Sequence, residues 1–388
     1  MNFYKQSLEL KDYLLKIRRQ LHENPEIGFD LDNTVNLVKT ELDKMGIEYT
    51  SPIENSVLAT IGNGGRVILL RADMDALPIR ENTNLEFKSE NGNGHMCGHD
   101  FHTAMLLGTA KLLKENEDKL KGTVKLMFQP AEEILSGAIK MVEAGILENP
   151  KVDVACMIHM DTTLDLGVYL HKGAMATSNN NFRITVKGKG AHGAMPEKGV
   201  DATFVASQIL NALQVLVSRE ISFTKGAVLT AGHLNAGSAP NVIPDIAIIE
   251  GTTRTYHTES KEHIKKRIPE IAKYIAKAFR GEVEFEILSD VPVLMNNDHL
   301  IEITEKYLKE VEKENPDFKV FRGDPVTASD DFAHVAERVP GMMLMLGCKT
   351  NEGEIYPLHN ANAVFNEDSI VFGPTTMATL AYNWLRDN

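Results

Sequence analysis

Val124-Lys125-Leu126-Met127-Phe128 runs directly into Gln129-Pro130-Ala131-Glu132-Glu133, a mostly apolar stretch that stops at two adjacent acids. Two other apolar runs end the same way. Val67 to Leu70 leads into Arg71-Ala72-Asp73-Met74-Asp75-Ala76-Leu77-Pro78, and Val152 to Ile158 leads into His159-Met160-Asp161. Near-continuous apolar strands are what a parallel sheet buries on both faces. In open α/β sheets the ligand crevice lies beyond the carboxyl ends of such strands. The pattern predicts an α/β fold with a mainly parallel central sheet, one edge of which collects Asp73, Asp75, Glu132, Glu133 and His159.

A fourth stretch supplies further donors. Asn93-Gly94-His95-Met96-Cys97-Gly98-His99-Asp100-Phe101-His102 precedes an apolar helix over Thr103 to Leu113. A thiolate and an imidazole one residue apart can grip a single borderline-soft cation, at about 2.3 Å and 2.0–2.1 Å for zinc. Gly94 and Gly98 let the backbone turn tightly enough to aim both side chains at one point. Taken alone, the stretch is equally a turn with a buried cysteine and helix-capping polar groups.

Outward from these stretches, helical spacing predicts a helix over Leu8 to His22 and another capped by Asp32 or Asn33 that closes at Gly46. Gly62-Asn63-Gly64-Gly65 reads as a hairpin turn between strands Val57–Ile61 and Val67–Leu70. A helix is expected over Ser136 to Ala144. From residue 181 the pattern changes to strand, helix, strand, strand, helix, strand, the order of a ferredoxin-like α+β unit. The expected organisation is a catalytic domain over 1–180 and 292–388, with an inserted lid or dimerisation domain over 181–291. In the second catalytic part, helices over His299–Lys313 and Asp368–Arg386 flank a buried strand at Met342–Leu346, and His359 sits in a loop.

Composition bounds the function. The chain has 388 residues, 43% of them hydrophobic and 24% charged, which suits a soluble protein of two domains. A net charge of −13 without a basic run speaks against nucleic acid or an anionic membrane as partner. No signal-peptide pattern or bilayer-length apolar run occurs, so a cytoplasmic location is expected. Three cysteines, Cys97, Cys156 and Cys348, are odd in number and widely spaced, which does not make a disulfide framework. Cys156 and Cys348 read as buried small hydrophobes.

Six motifs together carry a resemblance: Arg19-Gln20-Leu21-His22-Glu23-Asn24-Pro25-Glu26, Asp73-Met74-Asp75-Ala76-Leu77-Pro78, Cys97-Gly98-His99-Asp100, Gln129-Pro130-Ala131-Glu132-Glu133, Gly190-Ala191-His192-Gly193 and Leu358-His359-Asn360. The chain resembles, end to end, the amidohydrolase branch of the two-metal peptidase family that includes aminoacylases, hippurate hydrolases and indole-acetyl-amino-acid hydrolases. The resemblance implies a zinc-peptidase-like catalytic domain with two divalent metal ions (zinc, or manganese, cobalt or nickel) on Cys97, His99, Glu133, His159 and His359. It makes Glu132 the general base. It makes His192 a donor that stabilises the tetrahedral oxyanion, within its own subunit or across a homodimer. Asn241 and Arg254 would bind the substrate carboxylate, although Arg254 also reads as half of a strand-surface salt bridge. Asp75 orients a ligand or the base, Asp100 and His102 cap and brace the helix start, and His95, His171, His233 and His257 are structural or exposed.

The implied reaction is hydrolysis of the amide of N-acyl amino acids to a carboxylate and a free amino acid. An N-acetyl-diaminopimelate-type deacetylase or a dipeptidase would use the same site. A silent relative that only binds a metal or small acid is the reading of another class. Ile134-Leu135-Ser136 stands where the family usually has glycines, Asn180 where it more often has aspartate, and Asp330-Asp331 where glutamate-aspartate is more usual. These departures leave the acyl group open among aromatic, aliphatic and acetyl.

Overall fold

In the computed structural model, which describes residues 1–351 and 353–388, the chain divides into two compact units. The first comprises Met1–Met175, Leu294–Pro325 and Asp331–Asn388, and the second Ala176–Val293 with Val326–Asp330.

The first unit is built on an eight-stranded sheet. Its strands lie side by side in the order Tyr49–Thr50, Val57–Gly62, Gly122–Gln129, Arg66–Asp73, Val154–Asp161, Gly341–Gly347, Gly167–Leu170 and Val320–Arg322. The four central strands run parallel. Their apolar residues explain why: Ile68, Leu70, Leu126, Phe128, Cys156 and Leu344 are all fully or nearly fully buried, which requires cover on both faces. That cover includes the helices Lys11–Glu23, His99–Lys114 and Phe372–Asp387, whose apolar faces join the same core. Parallel direction brings the strands' carboxyl ends to one edge, where Asp73 lies opposite Gln129 and His159 opposite Met345.

Two expectations need correction. Val57–Gly62 and Arg66–Asp73 do not form a hairpin, because Gly122–Gln129 lies between them, antiparallel to the first and parallel to the second. The glycine loop wraps over the start of that inserted strand. A Cβ on Gly62 would stand 2.4 Å from the Gly122 carbonyl, and one on Gly65 2.5 Å from that of Lys121. Glycines placed for close backbone approach look, in sequence, like glycines placed for a tight turn. His159 lies inside its strand, which continues to Asp161, rather than after it.

The second unit carries an antiparallel sheet ordered Val228–Ala236, Ile246–Arg254, Asn179–Lys187, Glu282–Val291. Phe182, Ile184 and Val186 alternate along one strand and pack with Ile209 and Ile268 from the helices Ala202–Val215 and Thr258–Ala278. Val228–Ala236 is an edge strand with most of its residues exposed. Among the described residues, no helix is long and apolar enough to cross a membrane.

Candidate metal centre

The site begins with a turn. After Gln129 and Pro130 the chain bends through Ala131 at φ 57, a left-handed conformation that is rare for a residue with a side chain. Glu132 and Glu133 follow, and their backbone N–H groups donate to the two oxygens of one carboxylate, Glu132 N to Asp75 Oδ1 at 3.0 Å and Glu133 N to Asp75 Oδ2 at 3.1 Å. Asp75 is wholly buried. It meets the backbone, so its place is to hold the two glutamates. Gly137 closes the turn, because a Cβ there would come 1.7 Å from the Pro130 carbonyl oxygen.

Cys97 and His99 reach the same place from the loop and first turn of His99–Lys114. Gly98, at φ 86, makes the bend, and a Cβ on it would press on Phe365 at 2.9 Å and Met160 at 3.1 Å. The His99 ring places Nδ1 2.7 Å from the Asp75 backbone carbonyl. With that nitrogen donating, Nε2 is turned inward. His159 does likewise, with Nδ1 2.8 Å from the Met160 carbonyl. Such partners fix which nitrogen of a histidine is free for a cation. His359 arrives on a loop tied by its own N–H to the Met96 carbonyl at 2.9 Å.

These donors converge. His359 Nε2 lies 3.3 Å from Cys97 Sγ and 3.5 Å from Glu133 Oε2. His159 Nε2 lies 3.6 Å from Cys97 Sγ, and His99 Nε2 lies 3.8 Å from Glu133 Oε1. Bonds of about 2.0–2.3 Å around a tetrahedral ion separate its donors by roughly 3.3–3.8 Å. Two groups of three, Cys97–His99–His159 and Cys97–Glu133–His359, each gather their donor atoms within 4.8 Å and share the Cys97 sulfur. Furthermore, His99 Nε2 and Glu133 Oε1 are buried without a hydrogen-bond partner, the arrangement of groups that serve a cation. The donor set fits a pair of divalent ions. Glu132 Oε2 stands at the rim of the cluster, 3.9 Å from His99 Nε2.

Behind the donors lies a buried polar layer that periodicity did not reveal. His102 was expected to brace the helix start. Instead its Nδ1 meets Asp73 Oδ1 at 2.5 Å, and its Nε2 accepts the Met160 N–H at 3.0 Å. Both ring nitrogens are thereby used, which removes His102 as a ligand, and burial lowers its pKa to about 4. Asp73 also receives Arg71 Nη1 at 2.5 Å, and Arg71 continues to Gln129 at 2.9 Å and Asp331 at 3.2 Å. The spacing of His102 three residues after His99, on one helix face, was the available signal. Asp100 does not cap the helix either. It turns away from the donors and pairs with Arg18 at 2.7 Å. His95 is buried with neither ring nitrogen hydrogen-bonded.

The remaining predicted residues lie in the second unit. His192 and Asn241 are neighbours: Val242 pairs with His192, and Gly193 N donates to the Asn241 carbonyl at 2.8 Å. Both line a cavity of about 660 Å³ with Pro244 and Ile246. His192 Nδ1 accepts the Ala194 N–H at 3.1 Å, which leaves Nε2 outward. Arg254 does not join them. It ends the strand that Ile246 begins, and at about 3.3 Å per residue that separation is roughly 26 Å. Its guanidinium is half-buried and reaches Ser329 Oγ at 3.4 Å, and among the described residues no salt bridge employs it.

A model of peptidase family M20/M25/M40 matches residues 69–383. The chain belongs to that family. Its M20 relatives include the hippurate hydrolase of Campylobacter jejuni, 39% identical with the whole of both chains covered. The N-acetyl-L-cysteine deacetylase of Bacillus subtilis is 38% identical over 87% of this chain and 81% of its own. Among solved structures, a Bacillus subtilis dinuclear metal binding peptidase from the M20 family superposes with a TM-score of 0.82, at 31% identity over 97% of this chain and 99% of that one. Membership fixes the broad chemistry: this is a metallo-amidohydrolase acting on linear amides, in the branch the motifs indicated.

Protons compete with cations at this M20 centre. Burial works against a charged His99, but Asp73, the bond to Asp75 and Glu133 overcome it and raise its pKa to about 10. Burial pushes Glu133 up to about 7 and carries the Cys97 thiol well above its usual range. A cation must displace these protons, so uptake releases them and strengthens as pH rises. Calorimetric titration of the metal-free protein with zinc or manganese at neutral pH is expected to show a heat that varies with the buffer's ionisation enthalpy, and an affinity that climbs with pH. A buffer-independent heat with pH-independent affinity would contradict this account.

Proposed function

We propose that this M20 protein hydrolyses N-acyl amino acids on two divalent ions held by Cys97, His99, Glu133, His159 and His359, releasing a carboxylate and a free amino acid. The observation that carries the reading is the pair of donor triads sharing Cys97, with the carboxylate of Glu132 at their edge. Relatives that act on hippurate and on N-acetyl-L-cysteine support the substrate class. A thiolate among imidazoles favours zinc, and manganese, cobalt or nickel can load the same donors.

When bound, the ions supply Lewis-acid polarisation and a water acidic enough to act near neutral pH. The protein's own residues do the rest. Asp75 holds the backbone of Glu132 and Glu133, so that Glu133 serves the metals while Glu132, at the edge of the cluster, faces the reacting atoms. Glu132 takes a proton from the attacking water and delivers it to the amine nitrogen as the C–N bond breaks. His192 Nε2 supplies a hydrogen bond to the developing oxyanion. Arg254, whose fork is largely unused, takes the substrate carboxylate. Ile134, 56% exposed and adjacent to Glu133, borders the acyl group.

Asn241 shares the His192 pocket and stands far along the insert from Arg254, so the two do not grip one carboxylate within one chain. We assign Asn241 to the His192 end. Two copies joined through the exposed edge strand Val228–Ala236 would present both ends of the insert, and Phe223 near that edge is 95% exposed. A homodimer is therefore the assembly we propose, working in the cytoplasm, where Cys97 stays reduced.

Glu132→Ala should bind metal normally and lose at least about a hundredfold in kcat on an N-acyl-amino-acid panel read by mass spectrometry. A metal-loaded wild type that cleaves no member, or a mutant of undiminished rate, rejects the reading. Arg254→Ala should raise KM mainly for substrates with a free carboxylate, and equal losses on carboxylate-blocked amides would remove that role. Sedimentation velocity should return twice the 43.0 kDa chain mass, and a monomer at micromolar concentration would reject the dimer.

A further inference from the structure

One helix of the first unit meets Asp100, the residue after His99, and two further segments stand behind that helix's side chains. Arg18 and His22 lie one turn apart on the helix Lys11–Glu23, and both are buried. Arg18 Nε stands 2.7 Å and His22 Nδ1 2.8 Å from the same oxygen, Asp100 Oδ2. The other His22 nitrogen faces Glu81 at 3.2 Å, and Arg18 Nη1 reaches Glu367 at 3.2 Å. Glu81 is itself fixed by the Ser89 N–H at 2.8 Å and by the Thr83 hydroxyl. A histidine with a carboxylate on each ring nitrogen needs both protons to satisfy them. Burial and Arg18 oppose that charge, yet the bonds to Asp100 and Glu81 outweigh them and raise its pKa.

Among the described residues, no hydrogen bond or ion pair joins these side chains to a metal donor, and the proposed hydrolytic chemistry uses none of them. Buried ion clusters are often no more stabilising than apolar packing of the same volume, but they are directional. Here the direction is specific. Successive residues of an α-helix project about 100° apart, so the rotation that places Asp100 also sets the heading of the His99 ring. The preceding residues join the helix through Gly98, in a left-handed bend, and are held besides by backbone bonds such as that from the His359 N–H to the Met96 carbonyl, so the heading of the helix is one of the constraints on Cys97.

We propose that Arg18 and His22 are positioning residues for the metal centre, clamping Asp100 so that His99 and Cys97 present their donors at a fixed geometry. The inference rests on the reading of Cys97 and His99 as ligands. Its consequence is that metal affinity depends on two side chains of the N-terminal helix that contact no ligand.

The test compares wild type, His22→Gln, Arg18→Lys and Glu81→Gln by competition for zinc against a chromophoric chelator. Thermal melting of the metal-free forms, and kcat at saturating zinc, are measured alongside. Loss of a partner bonded directly to a ligand typically costs 10–100-fold in metal affinity, and a weakening of about tenfold, the lower end, is expected for His22→Gln and Arg18→Lys, which act one step further out, with kcat recovering as zinc saturates. Glu81→Gln, whose amide oxygen still accepts the His22 N–H, should stay near wild type. Folded His22→Gln and Arg18→Lys proteins with wild-type zinc affinity would overturn the proposal, as would loss of kcat at saturating zinc with affinity intact. Failure of both to fold without metal would also overturn it, since the cluster would then hold the domain rather than the turn. A wild type that binds no zinc, manganese, cobalt or nickel would instead defeat the two-metal reading itself.

Discussion

Much of this protein depends on one carboxylate accepting two successive backbone N–H groups. Asp75 cannot move without releasing the turn that carries both Glu132 and Glu133. Its backbone carbonyl also faces His99 Nδ1, so the same residue sets a ligand on a different element. The left-handed Ala131 costs energy that a free loop would relieve by rotating. Two charge-assisted bonds to a buried anion keep it in place.

Placing Asp73, Asp75, Glu132 and Glu133 together in a largely buried cluster is electrostatically expensive, and the structure meets the cost in two ways. Arg71 neutralises Asp73 from behind and His102 donates a hydrogen bond to it, which helps hold its carboxyl well below the usual range despite burial. The front of the cluster is left to cations. A centre with every acid internally paired would have little affinity for metal, and one with none paired would not fold around it. The Arg71–Asp73–His102 layer marks the boundary between the two roles.

The parts legible in sequence are those where local pattern and chemistry coincide. Glu132, Glu133 and His159 stand at the ends of apolar runs, and Cys97 and His99 sit in a glycine-bracketed turn. The insert declared itself through the alternation of Phe182, Ile184 and Val186. What stayed hidden depends on partners distant in the chain. Asp331 lies 260 residues from Arg71, and Glu367 lies 349 from Arg18, so no window of periodicity contains either pair. Strands as short as Gly167–Leu170 and Val320–Arg322 lack the length to show a pattern. The glycines of Gly62–Gly65 satisfy a hairpin and a strand-wrapping loop equally well, and only the position of Gly122–Gln129 separates the two.

That inserted strand bears on how the protein comes to be made. Val57–Gly62 and Arg66–Asp73 cannot zip together locally. They must wait for a segment some fifty residues downstream to enter between them, a non-local closure of the kind that slows folding. Glu132 and Glu133 hang from the end of the late-arriving strand. On a ribosome, Asp73 and the His99 helix would emerge before Glu132 and Glu133, and His159 and His359 later still. Closing of the sheet thus carries Glu132 and Glu133 to the centre, and the full donor set waits also on the loop that brings His359 to Met96.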